Sequence, residues 1–403
     1  MVDPWLTIIG MGEDGVPGLS PASRAALEAA EIVTGAARLM ALLGADGTVA
    51  PAAERRIWPV PFADGIAPLL ACRGRRVAVL VSGNPFWFGA GTTLARHLAP
   101  GEWRAHPGRS TFALAAARLG WPLETTLCLG LHATPFEHLI PRLAPGLRAI
   151  LLMRDGAAPG AMADWLTGRG FGASRLTVLE ALGGPAERVR ETEAARFALD
   201  DVRHPVAVAL EAAGDGTTLP RASGLPDDAF AHDGQITKRP VRALTLSALA
   251  PRAGERLWDI GAGSGSIAIE WLLSAAGNTA TAIEQRGDRA LRIRENAARF
   301  GLEGLDIVEG AAPGALENQP EPDAVFIGGG LSQALLQALW ARLRAGTRVV
   351  ANAVTLESEA LLAEWHAKAG GTLLRIELAE AGPLGSRRGW HASYPVVQWS
   401  TVR

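Results

Sequence analysis

The sequence predicts an α/β protein built from two domains in tandem. Short buried apolar runs alternate with helical segments along most of the chain, as in sheets that are wound with helices. The chain has 403 residues, which is long for one hydrophobic core. A stretch rich in glycine, proline and aspartate lies near the middle and has no sustained periodicity. We therefore predict a first domain at residues 1–212, a linker at 213–233 and a second domain at 234–403.

The first half contains seven apolar runs that we predict to be strands. Each is short and precedes a turn or a helix start. Ser20 and Pro21 mark one such start, because serine caps helix N-termini and proline fits the first turn. The predicted strands are Leu6–Ile9, Glu31–Thr34, Val77–Val81, Leu127–Leu131, Ala149–Met153, Leu176–Glu180 and Val206–Leu210.

Two loops of the first half carry candidate ligand-binding residues. Ser82–Gly91 follows a buried strand, and open α/β sheets bind ligands at the carboxyl ends of their strands. The same loop is equally consistent with a plain connection to a helix at Thr92–Leu98. Ser110 or Thr111 is the expected cap of the next helix, Phe112–Leu119.

A glycine-rich stretch in the second half predicts a nucleoside-binding site. A buried strand runs into Gly261, Gly263 and Gly265, and an apolar helix follows directly. Glycines let the backbone approach a ligand closely, and the helix start offers free N–H groups. Glu284 ends the next predicted strand, 19 residues past Gly265, where a carboxylate can accept both hydroxyls of a ribose.

The glycine spacing favours S-adenosylmethionine (SAM) over a nicotinamide cofactor. A dinucleotide fingerprint requires G-x-G-x-x-G, but here the third glycine comes one residue early. The spacing G-x-G-x-G, with Asp259 two residues ahead of it, is typical of SAM enzymes. A nicotinamide cofactor and a purely structural turn remain the alternatives.

The overall composition argues against several other classes of protein. The net charge of −2 favours neither a nucleic-acid nor a membrane partner. Cys72 and Cys128 cannot form a disulfide framework and stand at no metal-ligand spacing, so we expect both to be buried and no metal to be bound. There is no basic leader followed by an apolar run and no stretch of about 18 apolar residues. We therefore expect a cytoplasmic protein.

Three blocks of the first half resemble the tetrapyrrole (cobalamin-type) methylases. They are TIIGMGEDGVPGLSP, VLVSGNPFWFGAG and HPGRSTFALAAARLG. The resemblance implies a two-lobed domain with SAM folded into the cleft between the lobes. Asn84 departs from the family pattern, which usually has aspartate there, so any contact that needs a carboxylate is in question. The residues implied to hold SAM are Gly10, Ser82, Gly83, Asn84, Phe86, Ser110 and Thr111.

Blocks of the second half are similar to the decarboxylating C15-methyltransferases of corrin biosynthesis. They include DGQITKRPVRALTL, WDIGAGSGSIAIE, EGAAPGAL, DAVFIGGG and VANAVTLE. The resemblance implies a Rossmann-like (class I) SAM methyltransferase domain. Ala311 departs from it, since such enzymes often have aspartate against the adenine, and the Ala312 backbone would have to serve. The residues implied to hold SAM are Thr237, Gly261, Ala262, Gly263, Ser264, Gly265, Glu284 and Ala312.

Together the two resemblances imply one activity. The chain would methylate a precorrin-6 intermediate at C5 with its first half, and at C15 with its second half. The second half would also decarboxylate the acetate side chain at C12, in aerobic cobalamin biosynthesis. Two SAM per chain and a homo-oligomer are expected, with no nucleic-acid partner. We name no catalytic residue, because the electrophilic ring system can itself drive the loss of CO2.

Residues that bind the substrate are harder to assign. The substrate would be a polycarboxylate tetrapyrrole, and arginine forms a planar fork that grips carboxylates. Arg387 and Arg388 are therefore candidates, although most arginine pairs are solvated surface charge. Asn352 follows a buried strand beside the predicted SAM cleft and is a further candidate. The alternative function is another small-molecule SAM methyltransferase whose first half is a non-catalytic assembly module.

Overall fold

A computed structural model describes residues 4–44 and 49–403. The chain forms two compact units, and each is described by itself. The first extends up to Phe136 and from Leu143 to Thr217, and the second comprises Glu137–Arg142 and Thr218–Arg403. The predicted boundaries at 212 and 234 remain predictions, and the residues from Thr218 to 233 pack with the second unit.

The first unit contains two five-stranded sheets. One has the order β3-β2-β4-β1-β5 and is parallel throughout. The other has the order β6-β7-β10-β8-β9, in which only β6 and β7 pair in parallel. The elements are β1 (Leu6–Met11), α1 (Pro21–Glu28), β2 (Ile32–Gly35), α2 (Ala37–Leu42), β3 (Glu54–Ile57), α3 (Ile66–Leu70), β4 (Val77–Ser82), α4 (Gly91–Ala95), β5 (Trp103–His106), α5 (Thr111–Leu119), β6 (Leu127–Gly130), β7 (Arg148–Leu152), α6 (Ala158–Gly168), β8 (Arg175–Glu180), β9 (Arg188–Glu193) and β10 (Val206–Glu211).

The central strands of the parallel sheet are buried on both faces. Along β1, Ile9 packs into the core on one face, while Leu6 and Ile8 pack into the core on the other. This is why β1 and β4 are almost continuously apolar in sequence. Because the strands are parallel, their carboxyl ends lie at one edge of the sheet. The loops after β1 and β4 meet at that edge.

Two predicted helix starts of the first unit are confirmed. Ser20 caps α1, where its hydroxyl oxygen accepts from the N–H of Ser23 at 3.1 Å. Ser110, rather than Thr111, caps α5 and accepts from the N–H of Ala113 at 3.1 Å.

The second unit contains one seven-stranded sheet of order β13-β12-β11-β14-β15-β19-β16. Its strands are parallel except for β19, which runs antiparallel between β15 and β16. A separate hairpin is formed by β17 and β18. The elements are α7 (Arg239–Leu249), β11 (Arg256–Ile260), α8 (Ser266–Ser274), β12 (Thr279–Glu284), α9 (Gly287–Arg299), β13 (Leu305–Glu309), β14 (Ala324–Ile327), α10 (Gln333–Arg342), β15 (Arg348–Ala353), α11 (Leu356–Ala369), β16 (Thr372–Ile376), β17 (Ala379–Leu384), β18 (Arg387–Ala392) and β19 (Val396–Val402).

The four C-terminal strands were not predicted from the sequence. Strand β19 reads VVQWSTV, in which polar residues interrupt the apolar ones, so that no long apolar run marks it. Trp399 on this strand is fully buried and packs with Trp340 and Trp365. The strand thus closes the core of the second unit. Among the described residues, no helix is long and apolar enough to cross a membrane.

Candidate functional site

The second unit has a cavity of about 590 Å³ at the carboxyl ends of its parallel strands. Its walls come from the ends of β11, β12, β14 and β15 and from the segment that precedes α7. This volume suits a small-molecule ligand. The predicted site residues that line it are Thr237, Gly261, Ala262, Gly263, Ser264, Glu284, Ala312 and Asn352.

The three glycines of the motif play different parts. All adopt positive φ, with values of 69° at Gly261, 61° at Gly263 and 75° at Gly265, a region that other residues enter only with strain. A Cβ on Gly261 would lie 2.6 Å from the backbone of Gly329, and one on Gly265 would lie 2.7 Å from Ile293. A Cβ on Gly263 would meet nothing closer than 3.6 Å. Gly261 and Gly265 are therefore needed for packing, whereas Gly263 leaves space in the cavity.

Glu284 is held in place by the loop that it faces. Its side chain is buried, Oε2 accepts from the N–H of Gly263 at 2.8 Å, and Oε1 accepts from the N–H of Arg286 at 3.0 Å. Each carboxylate oxygen can accept more than one hydrogen bond. The acid is thus oriented beforehand and retains acceptor capacity for a ligand in the cavity.

Two buried polar atoms near the glycine loop have no partner among the residues that the structure describes. They are Oδ1 of Asp259 and Oγ of Ser264, and Ser264 lines the cavity. Burial raises the pKa of the Asp259 carboxyl to about 7, although its Oδ2 accepts from the N–H of Ala268. The negative charge of Glu284 contributes to this rise in pKa. Such unpaired groups are rare in native interiors, and the hydroxyl of Ser264 lies where a polar ligand in the cavity can complete its hydrogen bonds.

The first unit has a cavity of about 520 Å³ at the same kind of sheet edge. The predicted residues Ser82, Gly83, Asn84, Ser110 and Thr111 line it. The other two predicted residues, Gly10 and Phe86, are not among the described residues that line this cavity. Its remaining lining is mostly apolar, from residues after β2, β3 and β4.

Gly10 lies near the end of β1, against the loops that contain Gly83 and Gly108. A Cβ there would be 1.9 Å from the carbonyl oxygen of Gly83 and 2.3 Å from the backbone nitrogen of Gly108. The N–H of Gly108 donates to that same carbonyl at 3.0 Å. Any side chain at Gly10 would therefore push apart the loops that form the cavity wall.

Asn84 supplies the turn contact that an aspartate would supply. Its Oδ1 accepts from the N–H of Phe86 at 2.9 Å, an Asx-type turn that asparagine and aspartate both form. The departure at this position therefore leaves the local backbone geometry unchanged. What it removes is a negative charge.

Two aromatic rings that the sequence did not single out line the first cavity. Trp87 and Phe88 are partly exposed and pack on the buried ring of Phe112, with centroids 4.8 Å and 5.8 Å away. Phe88 has φ of 54°, an unusual conformation for a bulky residue. Strain of this kind is typical of functional loops.

Comparison with known proteins gives two family matches in series. Residues 6–198 match the family described as Tetrapyrrole (Corrin/Porphyrin) Methylases, and residues 228–403 match that described as Precorrin methyltransferase domain. A precorrin-6Y C(5,15)-methyltransferase (decarboxylating) of Sinorhizobium sp. is 50% identical over 407 residues, covering 100% of this chain and 97% of the relative. The chain belongs to the decarboxylating precorrin-6Y C(5,15)-methyltransferase family.

A second relative of that name, from Mycobacterium tuberculosis, is 44% identical over 402 residues, covering 99% of this chain and 100% of the relative. The crystal structure of the C-terminal domain of precorrin-6Y C5,15-methyltransferase from Rhodobacter capsulatus is 58% identical. It covers 46% of this chain and 100% of that one, with a TM-score of 0.45. The predicted SAM-dependent C-methyltransferase, with a tetrapyrrole methylase domain ahead of a Rossmann-like domain, is confirmed.

In this member of the precorrin-6Y C(5,15)-methyltransferase family, part of the predicted linker is hydrogen-bonded to the helices behind the second site. Arg242 of α7 is completely buried and binds Glu270 of α8 at 2.6 Å, Asp227 at 3.0 Å and the carbonyl oxygens of Leu225 and Thr237. Glu270 also accepts from the N–H groups of Gly224 and Leu225 at 2.6 and 2.9 Å. The segment that leads to Thr237 is therefore fixed to the helix that starts at the glycine loop.

A buried asparagine makes a second connection of the same kind. Asn296 of α9 exchanges two hydrogen bonds with the backbone of Ala231 and donates to the carbonyl oxygen of Ser264 at 2.9 Å. Polar residues inside an amphipathic helix such as α9 look like ordinary surface positions in a sequence. Only their distant partners identify them, and this is why sequence reasoning missed Arg242 and Asn296.

The arginine candidates lie on the hairpin and not in the cavity wall. Arg387 and Arg388 are exposed on β18, paired with Leu384 and Pro383 of β17. Tyr394, which follows this hairpin and is 88% exposed, does line the cavity. Within the described part of the chain, no cluster of three or more His, Cys, Asp or Glu could hold a metal ion. Cys72 is buried as expected, whereas Cys128 is only partly buried.

Proposed function

We propose that this chain methylates C5 and C15 of a precorrin-6 intermediate and removes CO2 from the acetate at C12, with one SAM bound in each unit. The observation that carries the proposal is the pair of cavities, one in each unit, at the loops whose sequences resemble SAM-binding motifs. By that resemblance the first unit acts on C5, and the second acts on C15 and releases CO2.

The residues of the second cavity fit SAM. Glu284 is the acceptor for the ribose hydroxyls, and the unpaired hydroxyl of Ser264 is a further hydrogen-bonding group. Gly263 leaves room for the donor beside the loop. Thr237, Ala262 and the Ala312 backbone complete the walls.

The residues of the first cavity fit the same donor in another way. Ser82, Gly83 and Asn84 offer backbone and amide groups, and Ser110 and Thr111 offer hydroxyls and a helix start. Gly10 and Phe86 support this wall from outside, through the contacts of Gly10 with Gly83 and of Phe86 with Asn84.

When bound, SAM supplies a methyl group on a positively charged sulfonium. The work of the chain is alignment and exclusion of water, because a donor and a carbon held in line react as if in one molecule. Asn352 is the substrate contact that we propose inside the second cavity, and Arg387 and Arg388 lie on the hairpin that adjoins Tyr394. No general acid or base is assigned.

The test uses two matched variants of the full chain. Ala37→Trp places an indole in the first cavity, and Ala311→Trp places one in the second, since both alanines are exposed and line the respective cavities. Calorimetric titration with SAM is expected to give two sites in the parent chain and one in each variant. Mass spectrometry after reaction with the precorrin-6 intermediate should show that Ala311→Trp no longer releases CO2.

Two results would contradict the proposal. A single SAM site in the parent chain would favour the reading in which the first half is an assembly module without catalysis. Release of CO2 by Ala311→Trp at the parent rate would mean that decarboxylation does not depend on the second cavity. Thermal unfolding of both variants checks that the added indole has not disrupted the fold.

A further inference from the structure

Three polar side chains meet where α7 of the second unit packs against β15 and β19. Thr245 of α7 is completely buried, Gln398 of β19 is 3% exposed, and Asn352 of β15 is half-buried. Asn352 and Gln398 are directly paired across the antiparallel strands β15 and β19. Of the three, Asn352 alone lines the cavity.

One assignment of the hydrogen atoms satisfies every contact in this cluster. The hydroxyl of Thr245 donates to the carbonyl oxygen of Val241 at 2.9 Å, so its oxygen acts only as an acceptor towards the other two side chains. It accepts from Nδ2 of Asn352 at 3.0 Å and from Nε2 of Gln398 at 2.9 Å. The second hydrogen on Nε2 of Gln398 goes to Oδ1 of Asn352 at 3.0 Å.

This arrangement fixes which way the carboxamide of Asn352 is turned. If the amide were flipped, its oxygen would face the oxygen of Thr245, which has no proton left to give. Its NH2 group would face the NH2 group of Gln398. Two favourable contacts would become two repulsive ones, so a single orientation is strongly preferred. In that orientation one N–H of Asn352 and one lone pair of Oδ1 have no partner in the cluster.

The position of Asn352 distinguishes it from the donor site. Strand β15 is separated from β11, which carries the glycine loop, by β14 alone. Two strand spacings amount to ~10 Å, so Asn352 lies across the cavity from that loop. A neutral N–H donor is also suited to an anionic acceptor such as a carboxylate of the substrate.

We infer that Thr245 and Gln398 are positioning residues that lock Asn352 so that its free N–H donates to a carboxylate of the substrate. This inference rests on the proposed function, in which the second cavity receives a polycarboxylate macrocycle. Thr245 and Gln398 do not line the cavity themselves among the described residues. Their effect is exerted through the orientation of one amide.

The test measures CO2 release by the full chain as a function of substrate concentration. A hydrogen bond to a charged group is worth about 1.5–3 kcal/mol, so Asn352→Leu is expected to raise KM by about 10–150-fold. Asn352→Asp should raise it further, because a carboxylate would face the substrate carboxylate. Thr245→Val and Gln398→Leu should each raise KM measurably, by up to about tenfold, since the amide still occupies the productive orientation part of the time.

Two controls separate positioning from simple loss of stability. Thr245→Ser keeps the hydroxyl and should restore the parent KM, which a packing defect would not allow. Gln333→Leu removes another glutamine contact, that with Trp365 at 2.8 Å, away from the cavity, and should leave KM unchanged. The affinity for SAM should be the same in all of these chains.

The outcomes distinguish this inference from the proposed function. If Thr245→Val and Gln398→Leu keep the parent KM, the positioning role is wrong, even where Ala311→Trp abolishes CO2 release. If they weaken SAM binding as much as substrate binding, the cluster supports the fold and not the substrate contact. If Gln398→Leu does not fold, the comparison of Thr245→Val with Thr245→Ser decides the question.

Discussion

The cavities of the two units are lined by groups of different chemistry. Ionisable side chains line the cavity of the second unit, namely Lys238, Glu284, Arg286 and Arg289. In residues 4–44 and 49–403, no ionisable side chain lines the cavity of the first unit. The first cavity relies on backbone groups, hydroxyls, one amide and aromatic rings. Salt and pH should therefore affect SAM binding in the second unit much more than in the first.

The difference extends to the layer behind each wall. Behind the second cavity lie a buried arginine, a buried glutamate and a buried aspartate with a raised pKa. Behind the first lie close backbone contacts between glycines. Charged side chains in a cavity wall need buried partners to orient them. Backbone groups in a cavity wall need only that no side chain keeps the segments apart.

The largest effect is expected at Arg242, which supports the charged wall. Arg242→Met leaves Glu270 buried without its ion-pair partner and should lower the free energy of unfolding of the second unit by about 3–5 kcal/mol. It should also weaken SAM binding in the second cavity, because the Thr237 carbonyl loses its tether. Denaturant unfolding and calorimetry on the full chain measure both effects.

The control for Arg242 is an exposed ion pair on a helix of the same unit. Lys368 and Glu364 are one helical turn apart on α11 and are each 55% exposed. Lys368→Met should therefore cost about 0.5 kcal/mol or less. If Arg242→Met lowers the free energy of unfolding no more than Lys368→Met does, the buried network around Arg242 does not stabilise the second unit.

A pH effect confined to the second unit is expected from Asp259. Burial raises the pKa of its carboxyl from 3.8 to about 7, so between those values the native state keeps a proton that the unfolded state has lost. Stability from this group therefore falls as pH rises through the window, by up to ~1.4 kcal/mol per pH unit, and is constant above it. Asp259→Asn removes the effect.

The measurement is the difference in unfolding free energy between Asp259→Asn and the parent chain at several pH values. The variant should gain on the parent from about pH 5 to about pH 7 and then keep a constant lead. Asp306→Asn, at an exposed position on β13 of the same sheet, is the matched control and should show no such trend. Parallel profiles for Asp259→Asn and the parent would show that the buried carboxyl is ionised throughout.

The features that sequence predicted well are those dictated by neighbours in the chain. The glycine loop and Glu284 come from one strand, one turn, one helix and a second strand in direct succession. The Ser110 cap and the Asn84 turn depend on contacts only two or three residues away. Local chemistry is enough to place such groups.

The features that sequence missed depend on distant partners. Gly224 and Leu225 lie in a stretch that looks like a linker, yet their N–H groups bind Glu270, 46 and 45 residues away. One helix and three strands lie between β15 and β19 along the chain. No local sequence pattern specifies that β19 pairs with β15 in the sheet. The composition of a stretch near a domain boundary does not show which polar residues of the domain will be buried against that stretch.

The smallest effect is expected at Asn84, where a charge can be added to the neutral wall. Asn84→Asp keeps the oxygen that accepts from the N–H of Phe86, so SAM affinity in the first cavity should change by less than about threefold. Asn84→Ala loses that contact and should weaken binding by up to about tenfold, in keeping with ~0.5–1.5 kcal/mol for a hydrogen bond. Both are measured in the Ala311→Trp background, so that titration reports the first cavity alone. If Asn84→Asp instead binds SAM at least tenfold more tightly than the parent, a carboxylate at this position contacts the donor. The asparagine of this chain would then weaken SAM binding in the first cavity by removing that charge.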